Sequence, residues 1–303
     1  MIIRRPLVSV LIPAYNQPLF LKYALESVLV QTYKNIEIII GDDSTNHKVE
    51  QILFPYLMQH SNIKYFKNYK KSKGDIGIDN FNACLKAARG EYINFLNHDD
   101  LFKKEKIEKM ILYFLKNEQV SLVTSHRQPI NAAGKHLNME GPYKKYSKRV
   151  AVFGKDLGDY CLKNCENIIG EPTSVLFRNK DLNEPFCFYK GNKYENLGDL
   201  ASWLSLLNKG KVVYIGETLS YFRVHPQQKT NILALRIQGI IDWFNLIEQS
   251  RQDGYLACQE DYHAALKKLS VMGAKVLKTF HQNKRVELLK IIQEIHKKLG
   301  VNY

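Results

Sequence analysis

The sequence lacks three features that would place it in a common class of protein. Neither GxxxxGK[ST] nor GxGxxG occurs, so any phosphate group would have to be met by side chains or by a metal ion. The five cysteines are scattered without CxxC spacing, which argues against a zinc site and favours reduced thiols. No apolar stretch is long enough to span a bilayer, and Leu7 to Ile12 is too short for a secretory signal. We therefore expect a cytoplasmic protein.

The composition argues against a disordered chain. Of the 303 residues, 45% are hydrophobic and 11% are aromatic, which is enough to bury one substantial core in a globular protein. Lys and Arg outnumber Asp and Glu by 44 to 30, which gives a formal net charge of +14. This charge would attract polyanions, but it does not distinguish nucleic acid from anionic lipid or nucleotide phosphates.

The first hundred residues alternate short apolar runs with longer amphipathic segments. This pattern predicts βα units that build a mostly parallel sheet. Leu21, Leu25 and Val28, for example, recur at helical spacing. The predicted strands cover residues 7–12, 36–40, 63–66 and 92–96, and the predicted helices cover residues 18–30, 48–58 and 78–88.

The rest of the chain changes character at about Asn231. The polar stretch from Ser125 to Arg149 is typical of a mobile loop or hairpin. From Asn231 to Tyr303 the residues favour helix throughout, so we expect a main domain over residues 1–230 and a helical extension over 231–303. Before Asn231, helices are expected at residues 103–116 and 197–208, and strands at 120–124, 174–177, 212–215 and 219–224.

Polar clusters follow three of the predicted strands. In open α/β sheets, ligands bind in the crevice at the carboxyl ends of the strands, so these clusters should face one crevice. Taken singly, each cluster could instead be a helix cap or a turn. The clusters are Pro13-Ala14-Tyr15-Asn16, Gly41-Asp42-Asp43-Ser44 and Asn97-His98-Asp99-Asp100.

The adjacent carboxylates Asp99 and Asp100 are the hardest to explain as caps alone. They would repel one another unless one of them meets a cation. A hard divalent ion typically uses one or two carboxylates together with the phosphates of a substrate. The pair therefore predicts Mn²⁺ or Mg²⁺ bound with a diphosphate ligand.

These segments resemble the family-2 glycosyltransferases, which are inverting enzymes of the GT-A fold. The resemblance implies an α/β fold in which a mixed, Rossmann-like sheet is flanked by helices, here with the C-terminal helical extension. It divides residues 1–230 into a nucleotide-binding half, 1–100, and an acceptor-binding half, 101–230. The segments that carry the likeness are Val8–Asn16, Leu25–Thr32, Glu37–Ser44, Asn82 with Gly90–Ile93, and Phe95–Asp100.

The resemblance implies that the first half binds a nucleotide-diphosphate sugar, for which we expect a UDP-sugar. Ala14, Tyr15 and Asp42 would cradle the nucleoside, and Asp99 with Asp100 would hold the ribose and the metal. The residues expected to contact the nucleotide sugar are Pro13, Ala14, Tyr15, Asn16, Asp42, Asn80, Asn82 and Asp99, and those expected to bind metal are Asp99, Asp100 and His225.

The second half is similar to the family more loosely, through Ile169–Thr173, Gly198-Asp199 followed by Trp203, and Tyr221–His225. The resemblance implies that Asp199 is the catalytic base and that His225 approaches the metal. It also places the acceptor contacts in this half. The residues expected there are Glu171, Pro172 and Trp203.

Two positions depart from the family pattern. Asn97 stands where the family often has aspartate, which would weaken metal binding, and Gly198 stands where it often has glutamate, which leaves Asp199 as the base candidate there. The residues alone also allow structural roles: Asp199 as a helix cap, His225 as a structural histidine, Trp203 as a core residue and Glu171-Pro172 as a turn.

The expected reaction is displacement at the anomeric carbon of the donor sugar by a hydroxyl of a glycan or lipid-linked glycan, in polysaccharide or glycan assembly. A sugar-phosphate nucleotidyltransferase is one alternative, although its glycine-rich, basic first loop is not what Pro13–Asn16 provides. A nucleic-acid-binding module acting through the basic, aromatic segment Lys64 to Lys73 is another. We expect no nucleic-acid partner.

The C-terminal extension combines an apolar helix face with many lysines. This pattern predicts docking on an anionic membrane, at its inner face, or formation of a homodimer. Packing of the same face on the main domain is an equal alternative. The apolar residues are Ile237, Ile240, Ile241, Phe244 and Ile247, and the lysines are Lys267, Lys268, Lys275, Lys278, Lys284 and Lys290.

Overall fold

The computed structural model describes residues 4–68, 77–228, 233–278 and 285–300. Within these ranges the chain forms the strands β1 Val8–Ala14, β2 Ile36–Asp42, β3 Ile63–Lys67, β4 Tyr92–Phe95, β5 Leu101–Phe102, β6 Val120–Asn131, β7 Val150–Phe153, β8 Leu176–Arg178, β9 Phe188–Tyr189, β10 Asn192–Lys193 and β11 Lys211–Val224. The helices are α1 Pro18–Leu29, α2 Lys48–Gln59, α3 Ile78–Ala87, α4 Lys106–Lys116, α5 Gly154–Asn164, α6 Gly198–Leu207, α7 Leu233–Ser250, α8 Gln259–Leu277 and α9 Arg285–Lys298.

A mixed sheet forms the centre of the molecule, with the strand order β3-β2-β1-β4-β8-β6-β11-β5 and with β7 paired to β11. The strands β1 to β4 are parallel, β8 is antiparallel to both of its neighbours, and β6 is parallel to β11. The first four strands and the helices between them match the predicted βα units. This is the mixed α/β arrangement that was expected.

Helices cover both faces of the sheet and create two apolar cores. Neighbouring residues of β1 alternate between them: Val10 and Ile12 belong to the core under α1, α2 and α4, whereas Leu11 belongs to the core under α3, α5 and α6. Every residue of β1 is buried, as expected for a parallel strand covered on both faces. This burial keeps the ends of the strands in fixed positions at one edge of the sheet.

The stretch Ser125–Arg149, predicted as a mobile loop or hairpin, contains a hairpin in which Ile130 and His136 pair in antiparallel fashion, but it begins as a strand. Strand β6 continues through residues 125–131, and a turn closed by Asn131 N–H donating to Lys135 O follows it. The strand at residues 125–131 was not predicted, because this part of the chain buries polar side chains, which leave no apolar pattern. Ser125, His126, Arg127 and Gln128 are all buried.

Helix α5 was not predicted, because two glycines and several polar residues obscure its helical pattern. Both glycines have a packing reason. A Cβ at Gly154 would lie 2.1 Å from Leu207 O, and a Cβ at Gly158 would lie 2.4 Å from the Tyr255 ring. The glycines therefore allow α5 to pack closely against α6 and the C-terminal region.

The C-terminal helices α7, α8 and α9 are present as predicted, but their apolar face is not available for docking. It is buried in the same core as Trp203 and Leu204 of α6, which corrects the proposed use of this face against a membrane or a second copy. The buried residues are Ile237, Ile240, Ile241, Phe244 and Ile247. The predicted boundary at residues 230–231 and Lys284 lie outside the described residues. Among the helices described, none combines the length and apolar character needed to cross a bilayer.

Candidate active site

A cavity of about 500 Å³ lies at the carboxyl ends of β1, β4 and β11. Ala14 is the last residue of β1, Asn97 follows β4 closely, and Phe222 lies near the end of β11. Side chains from both halves of the main domain therefore surround one space. The predicted residues that line it are Pro13, Ala14, Tyr15, Asn80, Asp99, Glu171, Pro172, Asp199 and His225.

Asn80 is held rigidly on the side of the cavity formed by the first half of the chain. Its Nδ2 donates to Gly41 O at 2.8 Å, and its Oδ1 accepts from Asn68 Nδ2 at 2.8 Å. A Cβ at Gly41 would lie only 2.2 Å from Asn80 Oδ1, so glycine is needed for this close approach. Asn80 is thus fixed by three neighbouring segments.

Asn16 and Asp42, both predicted to contact the nucleotide, instead organise the loops behind the cavity. Asn16 Oδ1 accepts from Thr45 N at 3.0 Å. Asp42 is fully buried, and its carboxylate accepts from Ser44 N at 2.8 Å and from the Tyr65 hydroxyl at 2.9 Å. The residue that lines the cavity from this cluster is Asp43, one position later.

Asn82, another predicted donor contact, also has a structural position. Its Oδ1 accepts from Phe186 N at 2.7 Å, and its Nδ2 donates to Phe186 O at 3.0 Å. These bonds tie α3 to the segment before β9, and Phe186 itself lines the cavity. Asn82 therefore supports the wall and does not belong to it.

Asp99 and His225 meet on the cavity wall, although 126 residues separate them in the chain. Asp99 Oδ2 lies 3.0 Å from His225 Nε2. Burial alone would raise the pKa of Asp99, but the hydrogen bond with His225 and the charge of His98 bring it below its ordinary value. The carboxylate of Asp99 is therefore kept ionised and faces the cavity.

Asp100, which was predicted to bind metal beside Asp99, lies behind the wall. It is 1% exposed, and its carboxylate accepts from Thr173 Oγ1 at 2.6 Å and from Arg223 N at 2.9 Å. Burial and the neighbouring charge of Asp99 hold the pKa of Asp100 well above its usual range. The metal prediction is therefore corrected: Asp100 braces the segments that carry Asp99 and His225.

Arg223 was not identified from the sequence, although it lies within the segment Tyr221–His225 used for the resemblance. Its side chain is buried, with Nε donating to Asp99 O at 2.7 Å and Nη1 donating to Ala132 O at 3.0 Å. Its backbone N–H bonds to Asp100. Arg223 thus joins the strand that carries His225 to the turn that carries Asp99.

The pair Asp99–His225 fits a divalent cation. Two ligand atoms at right angles around an octahedral ion, each about 2.1 Å from it, would lie about 3 Å apart. The 3.0 Å between Asp99 Oδ2 and His225 Nε2 agrees with this spacing. No group of three or more His, Cys, Asp or Glu suited to a metal occurs within the described ranges, so phosphate oxygens and water would complete the coordination.

Asp199 lies in the first turn of α6 and lines the cavity. It is not the N-cap of this helix, because Leu197 holds that position. Its Oδ2 accepts from Asn167 Nδ2 at 3.1 Å, and its Oδ1 accepts from Leu200 N at 2.7 Å. Burial raises the pKa of Asp199 to about 7, although the Leu200 hydrogen bond opposes this shift.

Glu171 and Pro172 line the cavity near Asp199, as the acceptor prediction requires. Glu171 is paired with the buried Arg127, whose Nε lies 2.5 Å from Glu171 Oε2. Trp203 does not line the cavity. Its indole is fully buried, and its Nε1–H donates to Gly170 O at 3.0 Å, so it fixes the loop before Glu171 from behind.

Gly198 is explained by its contact with Cys187. A Cβ at Gly198 would lie 2.5 Å from Cys187 Sγ and 2.6 Å from Cys187 Cβ. The glutamate often found there in the family would not fit against this cysteine. Asp199 is consequently the one carboxylate that the Gly198-Asp199 pair presents to the cavity.

The sheet topology is that of a GT-A fold, with a cavity at the carboxyl ends of its strands. The chain belongs to glycosyl transferase family 2, because the model of that family matches residues 9–165. An uncharacterized glycosyltransferase of Rickettsia typhi is 34% identical over 276 residues, which cover 89% of this chain and 80% of the relative. Membership of this family makes the chain a glycosyltransferase and sets aside the nucleotidyltransferase alternative.

Three further proteins resemble the chain. The UDP-Glc:alpha-D-GlcNAc-diphosphoundecaprenol beta-1,3-glucosyltransferase WfaP of Escherichia coli is 34% identical over 220 residues, covering 72% of this chain and 78% of WfaP. S. aureus TarS 1-349 in complex with UDP-GlcNAc has a TM-score of 0.60, 15% identity, and coverage of 98% and 93%. Mannosyltransferase PcManGT from Pyrobaculum calidifontis, in complex with GDP-Man and Mn²⁺, has a TM-score of 0.59, 13% identity, and coverage of 97% and 81%. The two structures support the fold.

The alternative nucleic-acid module drew on the segment Lys64 to Lys73. Its first part forms β3 and pairs with β2, while residues 69–73 lie outside the described residues. Tyr65 uses its hydroxyl to bond Asp42. The described part of the segment is therefore explained by the sheet.

Proposed function

We propose that this protein is an inverting, divalent-metal-dependent glycosyltransferase that transfers a sugar from a UDP-sugar to a hydroxyl of a lipid-linked glycan. One observation carries the proposal: a single cavity is lined on one side by the Asp99–His225 pair and on another by Asp199, whose pKa is raised to about 7. The first pair suits a diphosphate with its cation, and the second suits a proton acceptor.

Asp199 acts as the general base. A base is most effective when its pKa lies near the working pH, and burial brings the pKa of Asp199 to about 7. Asn167 donates to Oδ2 and Leu200 N–H donates to Oδ1, so the carboxylate is held in one orientation while it takes the proton of the acceptor hydroxyl. The hydroxyl oxygen forms the new bond at the anomeric carbon as the bond to the diphosphate breaks.

Glu171 is the nearest competitor for the role of base, and its surroundings favour a different role. Its carboxylate is paired with the guanidinium of Arg127 at 2.5 Å, which balances its charge and holds it in place. Asp199 has no such cationic partner among the side-chain bonds of the described residues. Glu171 is therefore suited to hold an acceptor hydroxyl, and Asp199 to remove a proton.

Asp99 and His225 would hold the divalent ion with the donor diphosphate. A bound cation offsets the negative charge that grows on the departing nucleoside diphosphate. Tyr15, Asp43 and Asn80 line the same cavity and would position the nucleoside and the sugar. Hydrogen bonds of Arg223 to Asp99 and Asp100 join the turn after β4 to the end of β11, so that the Asp99 and His225 side chains stay together.

The UDP-sugar donor and the lipid-linked acceptor are supported by the activity for which WfaP is named, since WfaP shares 34% identity with this chain over 220 residues. A lipid-anchored acceptor implies that the transfer reaction takes place at the inner face of a membrane. The lysines of α8 are exposed and so remain available for contact with anionic lipid. Polysaccharide assembly is the corresponding process.

A panel of nucleotide sugars tests this function. Thermal unfolding should be shifted upward by one UDP-sugar in the presence of Mn²⁺ and not by the same compound after chelation, because only the folded state binds it. Transfer of that sugar to a lipid-diphosphate-linked acceptor should then be detectable. The proposal is wrong if no nucleotide sugar stabilises the protein with or without metal.

A further inference from the structure

The turn before α6, together with the first two residues of the helix, carries four residues of the cavity wall: Glu195, Asn196, Gly198 and Asp199. Helix α7, from the C-terminal region, lies directly behind this turn. Asp242 of α7 is 2% exposed, and its Oδ2 accepts from Asn196 N at 2.8 Å and from Leu197 N at 3.0 Å. One carboxylate from α7 therefore holds two consecutive backbone N–H groups of the turn.

The carboxylate of Asp242 is itself oriented. Its Oδ1 accepts from Gln238 Nε2 at 2.8 Å, one helical turn earlier in α7. The side chain of Asn196 adds a second link, since its Nδ2 donates to Leu235 O. A Cβ at Gly239 would lie 2.7 Å from Asn196 Nδ2, so glycine allows α7 to approach the turn this closely.

This arrangement differs from an ordinary helix cap, because Asp242 binds the N–H groups of Asn196 and Leu197, which precede Gly198, the first residue of α6. The N-cap residue of α6, Leu197, has no side-chain acceptor for the free N–H groups at the start of the helix. Asp242 supplies an acceptor for the turn from another helix, and its negative charge also suits the positive end of the α6 dipole. Charge-assisted hydrogen bonds of this kind are stronger than neutral ones.

We propose that Asp242 is a positioning residue for the transfer reaction, which holds the turn Glu195–Asp199 so that Asp199 points at the acceptor. The inference rests on the proposed role of Asp199 as base. It assigns a catalytic purpose to the C-terminal helices, which lie beyond the residues 9–165 matched by the family model. Asp242 does not line the cavity, so it acts only through the turn.

The test compares Asp242 with a matched carboxylate. Asp159 of α5 also joins the main domain to the C-terminal region, because its Oδ1 accepts from Leu256 N at 2.7 Å, but neither residue lines the cavity. Asp242→Ala, Asp242→Asn and Asp159→Ala are prepared with the wild type. Donor affinity, kcat, thermal stability and hydrogen exchange of the peptide containing residues 195–200 are measured for each.

Asp242→Ala should lower kcat by about tenfold or more while leaving donor affinity within about twofold, because small misplacements of catalytic groups have large effects on rate. Exchange in the 195–200 peptide should become faster. Asp242→Asn should recover part of kcat, since its amide oxygen still accepts. Asp159→Ala should keep kcat near that of the wild type despite a similar loss of stability.

Two results would overturn the proposal. One is a folded Asp242→Ala protein with wild-type kcat or with unchanged exchange in the 195–200 peptide. The other is an equal loss of kcat in Asp159→Ala, which would show that the loss follows stability. Failure of the proposed function can be told apart from failure of this proposal. A wild type that transfers no sugar would contradict the proposed function, whereas hydrogen exchange in the 195–200 peptide would still show whether Asp242 holds the turn.

Discussion

The two sides of the cavity are built in different ways. The side to which we assign the donor combines residues that directly follow β1, β2 and β4, such as Tyr15, Asp43 and Asp99, with His225, which follows β11. The acceptor side gathers Glu171, Asp199 and Phe222 from distant segments, with support from Arg127 and Asp242. Most of the proposed donor contacts therefore depend on local strand ends, and the Asp99–His225 pair is the exception, whereas the proposed base depends on long-range contacts throughout.

We expect the largest effect at Asp99 and His225, the pair proposed to bind the metal on the donor side. Asp99→Asn keeps the size of the side chain but removes the charge that a divalent ion requires. Transfer should fall by on the order of a hundredfold or more, since charge stabilisation by a metal is worth several kcal/mol. Transfer rate is measured against Mn²⁺ concentration for the variant and the wild type. Equal rates at low Mn²⁺ would show that Asp99 does not bind the metal.

Asp100 should behave differently from its neighbour. Asp100→Ala leaves Thr173 Oγ1 and Arg223 N without their acceptor, so it should lower the free energy of unfolding by roughly 1–3 kcal/mol. Chemical denaturation of Asp100→Ala and Asp99→Asn measures the difference. We expect the stability loss in Asp100→Ala alone. A loss of stability in Asp99→Asn and not in Asp100→Ala would indicate that Asp100 binds the metal and that Asp99 has the structural role.

On the acceptor side, the raised pKa of Asp199 predicts a pH-dependent cost to stability. A carboxyl whose pKa is raised on folding destabilises the folded state as pH rises from its ordinary value, near 4, to about 7. At pH 8 the free energy of unfolding of Asp199→Asn should therefore exceed that of the wild type by on the order of 2 kcal/mol, after allowance for water in the cavity. At pH 4 the two should match. A constant difference at both pH values would contradict the raised pKa.

The smallest expected effect concerns the neighbour of the base. Asn167→Ala removes the amide that donates to Asp199 Oδ2, which favours the ionised carboxylate. The pKa of Asp199 should rise by roughly half a unit to one unit, and the acid side of the pH–rate profile should move with it. An unchanged profile would mean that transfer rate does not report on Asp199. Donor affinity at high pH serves as the control.

The difference between local strand ends and long-range contacts also explains which parts of the fold and site could be predicted from the sequence. The βα pattern led to the first four strands and to Pro13, Ala14, Tyr15 and Asp99, because the strand ends position these residues locally. The sequence did not show which of two adjacent aspartates faces the cavity. Asp43 lines it, whereas Asp42 accepts a hydrogen bond from the Tyr65 hydroxyl behind it. One residue of offset in a turn decides such a difference.

The supporting contacts of the acceptor side could not be predicted from one sequence. Arg127 sits in a stretch with no apolar pattern, and its partner Glu171 is 44 positions away. Asp242 looks like an ordinary polar residue of an amphipathic helix, and only the packing of α7 against the turn before α6 gives it a role. Trp203 was expected either as an acceptor contact or as a core residue, and its ring lies in the core beside Phe177 and Phe186.

The central claim is that donor binding and proton removal reside on separate sides of the cavity. Asp199→Asn tests it most directly, through paired measurements of donor affinity by calorimetry with Mn²⁺ and of transfer rate to the acceptor. We predict donor affinity within about twofold of the wild type and a transfer rate lowered by on the order of a hundredfold or more. Near-normal transfer, or loss of donor binding in step with transfer, would contradict the division between the two sides.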